Sequence, residues 1–236
     1  MAHPEHIRRI RQGSTAWNQW RRERPLLRPD FNHDHCRGCD LADAELSYSN
    51  FHQNDLLRAN LSHANLLQAN LSNASLRKSD LSSANLRGAN LIQTDSRGAN
   101  FSCADLVQAN MVGADLTGAR LIESNLTAAL LVHARLDCAL LICANLQGAD
   151  LTGASLRGAD LSCADLRSVN FSGADLRDAV LLGANLKQAQ FDDCNLDGAK
   201  FSTRYPSIGY LGEASYSNDS SVAVSPRLLL PQGSEG

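Results

Sequence analysis

Every fifth residue from Leu41 to Phe201 is Leu or Phe, with only Ser96 and Met111 departing. Two residues before each stands a small residue, usually Ala, and between the two is most often Asn or Asp. The stretch "LSHANLLQANLSNASLRKSDLSSANLRGANL" reads as A-(N/D)-L-x-x again and again, with Ser75 and Ser79 as small substitutes. On an α-helix five residues advance about 140° beyond a full turn, so the leucines would spiral around every side. On a flat strand Ala and Leu share a face, but the next Ala, an odd step away, would flip outward. The pattern is consistent only if the chain turns a corner after every Leu. Ala and Leu then both point inward, and the x-x pair makes the bend, where Asn, Asp, Ser and Gly are at home. The result is a polygonal coil, Leu-filled and Ala-lined.

Spacing alone leaves the number of sides open. The A-(N/D)-L-x-x run, which fills roughly two-thirds of the chain, resembles the pentapeptide-repeat family. That resemblance implies an all-β solenoid, a right-handed quadrilateral β-helix with four pentapeptides per coil and coils stacked as parallel strands. Nearly nine such coils at about 4.8 Å each give a rod of roughly 40 Å. Solenoids are held by nearest-neighbour stacking and need capped ends. The expected organisation is a helical cap over 1–28, the β-helix over 29–203 and a largely flexible tail over 204–236.

The lead-in "HPEHIRRIRQGSTAWNQWRRERP" has helical spacing, with Ile7 and Ile10 on one short helix and Trp17 and Trp20 on a second. Gly13 separates the two helices and Pro25 ends the second. The tryptophans are read as a plug over the first coil, because an uncapped solenoid invites end-to-end association. The other reading is a basic docking arm, since residues 1–30 carry seven Arg against Glu5, Glu23 and Asp30. The "WNQWR" motif resembles the helical lead-in of cyanobacterial members, which implies a cyanobacterial source.

The stretch "NHDHCRGCDL" places His33, His35, Cys36 and Cys39 close together with a C-x-x-C spacing that zinc sites use. Counting back in fives from Leu41 resolves it differently. Cys36 falls on the Leu position, Phe31 on the one before and Cys39 on the Ala position, so both thiols fill core slots as small hydrophobes. His35 takes the outward Asn/Asp slot, and the four candidate ligands diverge. No metal and no cofactor are expected. After Phe201 the register ends in Ser-, Gly- and Pro-rich sequence, within which "VAVSPRLLLP" could fold back over the last coil.

If four pentapeptides make a coil, residues 20 apart stack. One face then carries Ile122, Leu140, Ile142, Val180 and Leu182 at outward positions where neighbouring repeats place Ser, Asn or Asp. The opposite face carries Ile92, Val112, Leu130 and Val132. Contiguous apolar surface marks contacts, to a partner, to a second copy or to another part of the chain. A third face carries Arg77, Arg97, Arg157 and Arg177, with Asp95, Asp115 and Asp175 interleaved, read as a solvated mixed-charge ladder. Cys143 and Cys163 stack on adjacent coils at a corner, at a Cα spacing a disulfide tolerates, and are read as two free thiols with a bonded pair as the alternative.

A net charge of −3 and a pI near 6.1 give no case for nucleic acid or membrane binding. Seven cysteines, an odd number, fit a reducing cytoplasm. His52, His63 and His133 stand alone on outer positions, the glycines are turn residues, and a Leu-filled solenoid offers no cleft, so neither an enzyme nor a small-molecule substrate is expected. The function read from the sequence is a protein-interaction scaffold or regulatory adaptor with a protein partner, or self-association into a homodimer. The family resemblance adds an alternative, a DNA mimic that binds a type II topoisomerase and protects gyrase. A second alternative is a metal or redox sensor using Cys36 and Cys39.

Overall fold

The computed structural model describes residues 3–32 and 36–201. The expected tail, and His33 and His35, lie outside the described residues. From Asp30↔Asn50 to Asp175↔Asn195 the bridges between neighbouring coils are parallel and join residues 20 apart. A further pair, β1 (Val180–Leu181) and β2 (Lys200–Phe201), keeps the same register, Val180↔Lys200 and Leu181↔Phe201. Four pentapeptides therefore make one coil, and the molecule is a solenoid of four flat faces. Each face is named below by a core leucine or methionine: the Leu141, Leu126, Met111 and Leu116 faces.

One coil edge shows how the backbone is satisfied. Leu41 donates its N–H to the Asn60 carbonyl at 2.7 Å, Asn60 donates back to Cys39 at 2.9 Å, and Asp43 donates to Ser62 at 2.9 Å. At the corner Ala44 closes a turn by donating to the Leu41 carbonyl at 3.1 Å. The third residue of that turn has positive φ, 59° at Asp43, while the second does not, which makes it a type II turn. Most residues at this corner position are not glycine, and each accepts a left-handed conformation costing roughly 1–2 kcal/mol. From Gly38 to Asp178 the corner N–H bonded to the next coil offsets that strain.

Asn and Asp recur before each Leu for a second reason. Asn70 accepts the Ser72 N–H at 3.1 Å, and its amide reaches down to Asn50 at 3.3 Å. The same side chain thus caps the coming turn and ties coils together, as Asn60 does with Ser62 and Asp40.

The core is four inward columns of Leu, at most 2% exposed from Leu41 to Leu181, lined by Ala. Ser96, the break in the pattern, is fully buried and bonds Thr94 at 3.2 Å. Thr94 stands in an Ala slot and donates to the Leu91 carbonyl at 3.0 Å. A larger residue in the small slot thus accompanies a smaller one in the large slot. Phe31 stacks on Phe51 at 4.7 Å and Phe171 on Phe191 at 5.2 Å, near the two ends of one column.

Before the first coil lie α1 (Pro4–Ile10) and α2 (Ser14–Arg22), separated by Gly13 with φ 96°. Trp17 is fully buried, lies 5.5 Å from the Phe31 ring and donates its indole N–H to the Glu45 carbonyl at 2.8 Å. Asn18 bonds the same coil twice, to the Asp43 carbonyl at 2.8 Å and from the Glu45 N–H at 2.7 Å. His6 accepts the Asp30 N–H at 3.0 Å, and Arg21 spans the Arg24 and Leu27 carbonyls at 2.9 and 2.7 Å. Ile10 and Trp20 join this buried cluster, and Ile7 packs partly buried against it.

Candidate interaction surface

On the Leu141 face, outward positions flank the column on both sides. The leading side runs Arg120, Leu140, Asp160, Val180, and the trailing side Ile122, Ile142, Ser162, Leu182. Leu182 is 45% exposed, and Ile122, Leu140, Ile142 and Val180 are half-buried. Asp160 and Ser162 interrupt the column at one level, and Ser162 donates its hydroxyl to Asp160 at 2.6 Å. On the opposite Met111 face, Ile92, Val112 and Val132 follow one another in a single column, with Leu130 beside Val132 and 43% exposed.

These positions differ in what they give up. Ile92 and Val112 keep the turn cap, donating their N–H groups to Asn90 at 3.1 Å and Asn110 at 3.2 Å. Leu130, Leu140 and Val180 replace that acceptor with an apolar side chain. Among the described residues no side chain accepts the N–H of Val132, Ile142 or Leu182. Each replacement forgoes a bond worth about 0.5–1.5 kcal/mol and leaves a branched side chain at the surface.

The Leu116 face is built on charge. Arg77 meets Asp95 at 3.8 Å, Arg97 lies 2.6 Å from Asp95 and 3.7 Å from Asp115, and Arg135 bridges Asp115 and Asp137 at 3.9 and 4.0 Å. Arg157 joins Asp137 and Asp175 at 3.3 and 3.8 Å, and Arg177 completes the line on Asp175 at 2.7 Å. Hydrogen bonds from Arg97 and Arg177 hold the Asp95 and Asp175 carboxyls below the usual range. Burial pushes Asp137 up, but bonds from Ser155 and Arg157 outweigh it and bring the carboxyl down. Arg135 and Asp137 were not singled out from the sequence. Their signs are swapped relative to neighbouring levels, so the pairing shows only once the coils are stacked. From Asp95 to Asp175 the Asp residues of this face are spent on Arg, and the guanidinium groups on Asp.

The Leu126 face alternates Asn and Asp with Thr, Gln, Arg and Lys, broken by Leu67 and Val107. Two exposed side chains escaped the periodic reading because they stand outside its logic. Leu26, 94% exposed, follows Pro25 in the link between helices and coils, and Tyr48, 42% exposed, occupies a corner.

Cys39, Cys103, Cys138, Cys143, Cys163 and Cys194 are free thiols. Cys36 is buried and Cys39 partly buried against the core, and among the described residues no group of three His, Cys, Asp or Glu could hold a metal ion. Cys143 and Cys163 stand exposed on adjacent corners; desolvation, Cys163 and the Glu123 carboxylate push the Cys143 thiol up. Cys103 reaches the same Glu123 at 3.9 Å. No helix among the described residues is long and apolar enough to cross a membrane.

Residues 55–91, 79–118, 119–158 and 159–198 match the family model for pentapeptide repeats, in 8 copies. Among solved structures, HetL, a pentapeptide repeat protein involved in heterocyst differentiation regulation from the cyanobacterium Nostoc sp. strain PCC 7120, is 30% identical with a TM-score of 0.51. The alignment covers 87% of this chain and 99% of HetL. The plasmid-mediated fluoroquinolone resistance protein QnrB1 is 22% identical over 76% of this chain and 86% of its own, with a TM-score of 0.47. Rfr23 from the cyanobacterium Cyanothece 51142 is 33% identical over 40% of this chain and 60% of its own, with a TM-score of 0.35. No curated protein sequence matches the chain significantly.

Proposed function

The chain belongs to the pentapeptide-repeat family, and on that premise we propose that it is a non-enzymatic interaction scaffold, a cytoplasmic regulatory adaptor that docks a protein partner on its Leu141 face. In this reading the solenoid is a right-handed quadrilateral β-helix, closed at its N-terminal end by α1 and α2. The observation that carries the proposal is local. At Leu140 and Val180 the chain abandons the turn-capping acceptor used at most other levels and presents an apolar side chain beside Ile142 and Leu182. A surface that lowers its own stability to display hydrocarbon is built to be covered. The regulatory role that HetL carries in its name fits an adaptor. The Met111 patch, with only Leu130 departing in the same way, serves as a second contact, to the partner or to a second copy.

The gyrase-protecting alternative asks for a broad acidic surface, and on the Leu116 face Asp95, Asp115, Asp137 and Asp175 are ion-paired with Arg. A sensor built on Cys36 would have to expose a thiol that is 1% accessible. The test is affinity capture from native extract, comparing wild type with Leu140→Asp/Ile142→Asp by mass spectrometry. A partner held by wild type and lost from the variant is expected; equal recovery from both would remove the Leu141 face from the account.

A further inference from the structure

The two ends of the solenoid are finished differently. Below the first coil, Ile10, Trp17 and Phe31 are no more than 3% exposed. At the far end Leu186, Phe191, Leu196 and Phe201 occupy the same inward slots and remain partly exposed, although Leu166, Phe171, Leu176 and Leu181 one coil earlier are at most 1% exposed. The backbone changes in parallel. Leu166, Phe171 and Leu176 donate their N–H groups to the next coil at 2.9, 2.8 and 2.8 Å, whereas those of Leu186, Phe191 and Leu196 meet no acceptor among the described residues. An apolar end with open strand edges is a template for association.

The chain continues for 35 residues beyond Phe201, outside the described residues. Residues 202–221 are rich in Ser, Gly and Tyr, and Val222–Pro231 (VAVSPRLLLP) is the most apolar stretch among the 35. We propose that the terminal coil is a docking surface for Val222–Pro231 of the same chain, which closes the C-terminal end as α1 and α2 close the other.

Reach, affinity and termination each fit that occupant. A flexible linker of the length of residues 202–221 has an r.m.s. span of roughly 25 Å. One side of a coil is five residues, at most about 18 Å, so the segment reaches every part of the end it leaves. Tethering holds it at an effective concentration on the order of millimolar, far above that of a second copy in dilute solution. Leu228, Leu229 and Leu230 supply hydrocarbon for the half-covered columns, and the segment's carbonyl groups suit the N–H groups of Leu186, Phe191 and Leu196. Pro226 and Pro231 lack N–H groups, so the segment ends the ladder instead of extending it.

The experiment compares full-length protein with a chain ending at Ser221 and with full-length Leu228→Asp/Leu230→Asp, by amide hydrogen exchange and sedimentation velocity. The full-length protein is expected not to associate through its C-terminal end. Both variants are expected to lose about tenfold protection at Leu186, Phe191 and Leu196, to keep it at Leu66 and Leu126, and to self-associate as concentration rises. Equal protection in all three proteins would overturn the proposal. So would a full-length dimer whose end-coil protection vanishes on dilution, because a second copy would then be the cover.

Discussion

Asn110 accepts the backbone N–H of Val112 at 3.2 Å, and one coil further on Leu130 offers Val132 no such bond. The pair shows that the residue before each core leucine has a structural task distinct from filling the interior. Replacing Asn110 with Ala removes the cap while leaving the Met111 slot intact. The expected loss is about 0.5–1.5 kcal/mol in denaturant unfolding, and an unchanged midpoint would mean that solvent serves the turn equally well.

Ser96 and Thr94 exchange sizes within one repeat, and restoring the repeat pattern there requires both positions. Thr94→Ala/Ser96→Leu returns a buried Leu to the column between Leu76 and Leu116. A gain of roughly 1–2 kcal/mol is expected. Ser96→Leu alone keeps Thr94 in the small slot and is expected to lose about 1–3 kcal/mol to overpacking. Thermal unfolding of the two variants side by side distinguishes a compensated pair from two independent sites.

The N-terminal helices carry a pH dependence. Burial and the neighbouring His3 lower the His6 pKa from 6.5, against the opposing pull of Asp30 and Glu5. Its ring must stay neutral at Nδ1 to accept the Asp30 N–H. A base whose folded pKa is depressed contributes stability that is fully present above its unfolded value and declines as pH falls through the folded one. Both tryptophans of the chain lie on α2, and the His6 ring lies 5.6 Å from Trp20. Tryptophan emission should therefore shift to the red below pH 6.5 at temperatures where the coils stay folded. His6→Gln should lose that transition.

Thiol reactivity should sort by slot. Cys103, Cys138, Cys143 and Cys163 sit on exposed corners with φ of 55–59°, so iodoacetamide should modify them in the native protein at pH 8. Cys36 and Cys194 should react only on unfolding. Cys194 is buried, donates to the Phe171 carbonyl at 2.7 Å, and burial pushes its pKa up to about 11. Among the corner thiols Cys143 should lag behind Cys138, since desolvation, Cys163 and Glu123 disfavour its thiolate. Equal rates at Cys36 and Cys138 would contradict the core placement.

The period of five carried most of the fold, because a corner after each Leu is the only way to keep Ala and Leu both inside. The same register places Cys36 and Cys39 against the core, where the C-x-x-C spacing taken by itself points to a metal site. What spacing could not reach was lateral chemistry. The ion-pair line through Arg135 and Asp137 depends on which side chains bend toward which coil. The missing caps at Leu130, Leu140 and Val180 are legible only once Asn and Asp are seen accepting the N–H two residues on. The outward apolar residues were visible in the sequence as departures from the repeat, but their cost was not.

The most direct measurement is the unfolding free energy of Leu130→Asn and Leu140→Asn, each of which restores the cap and removes surface hydrocarbon. If those leucines are displayed for contact, both variants should match wild type within about 0.5 kcal/mol or exceed it by up to about 1 kcal/mol. A loss of about 2 kcal/mol or more would mean that the leucines stabilise the solenoid itself, and the case for a built docking face would fall.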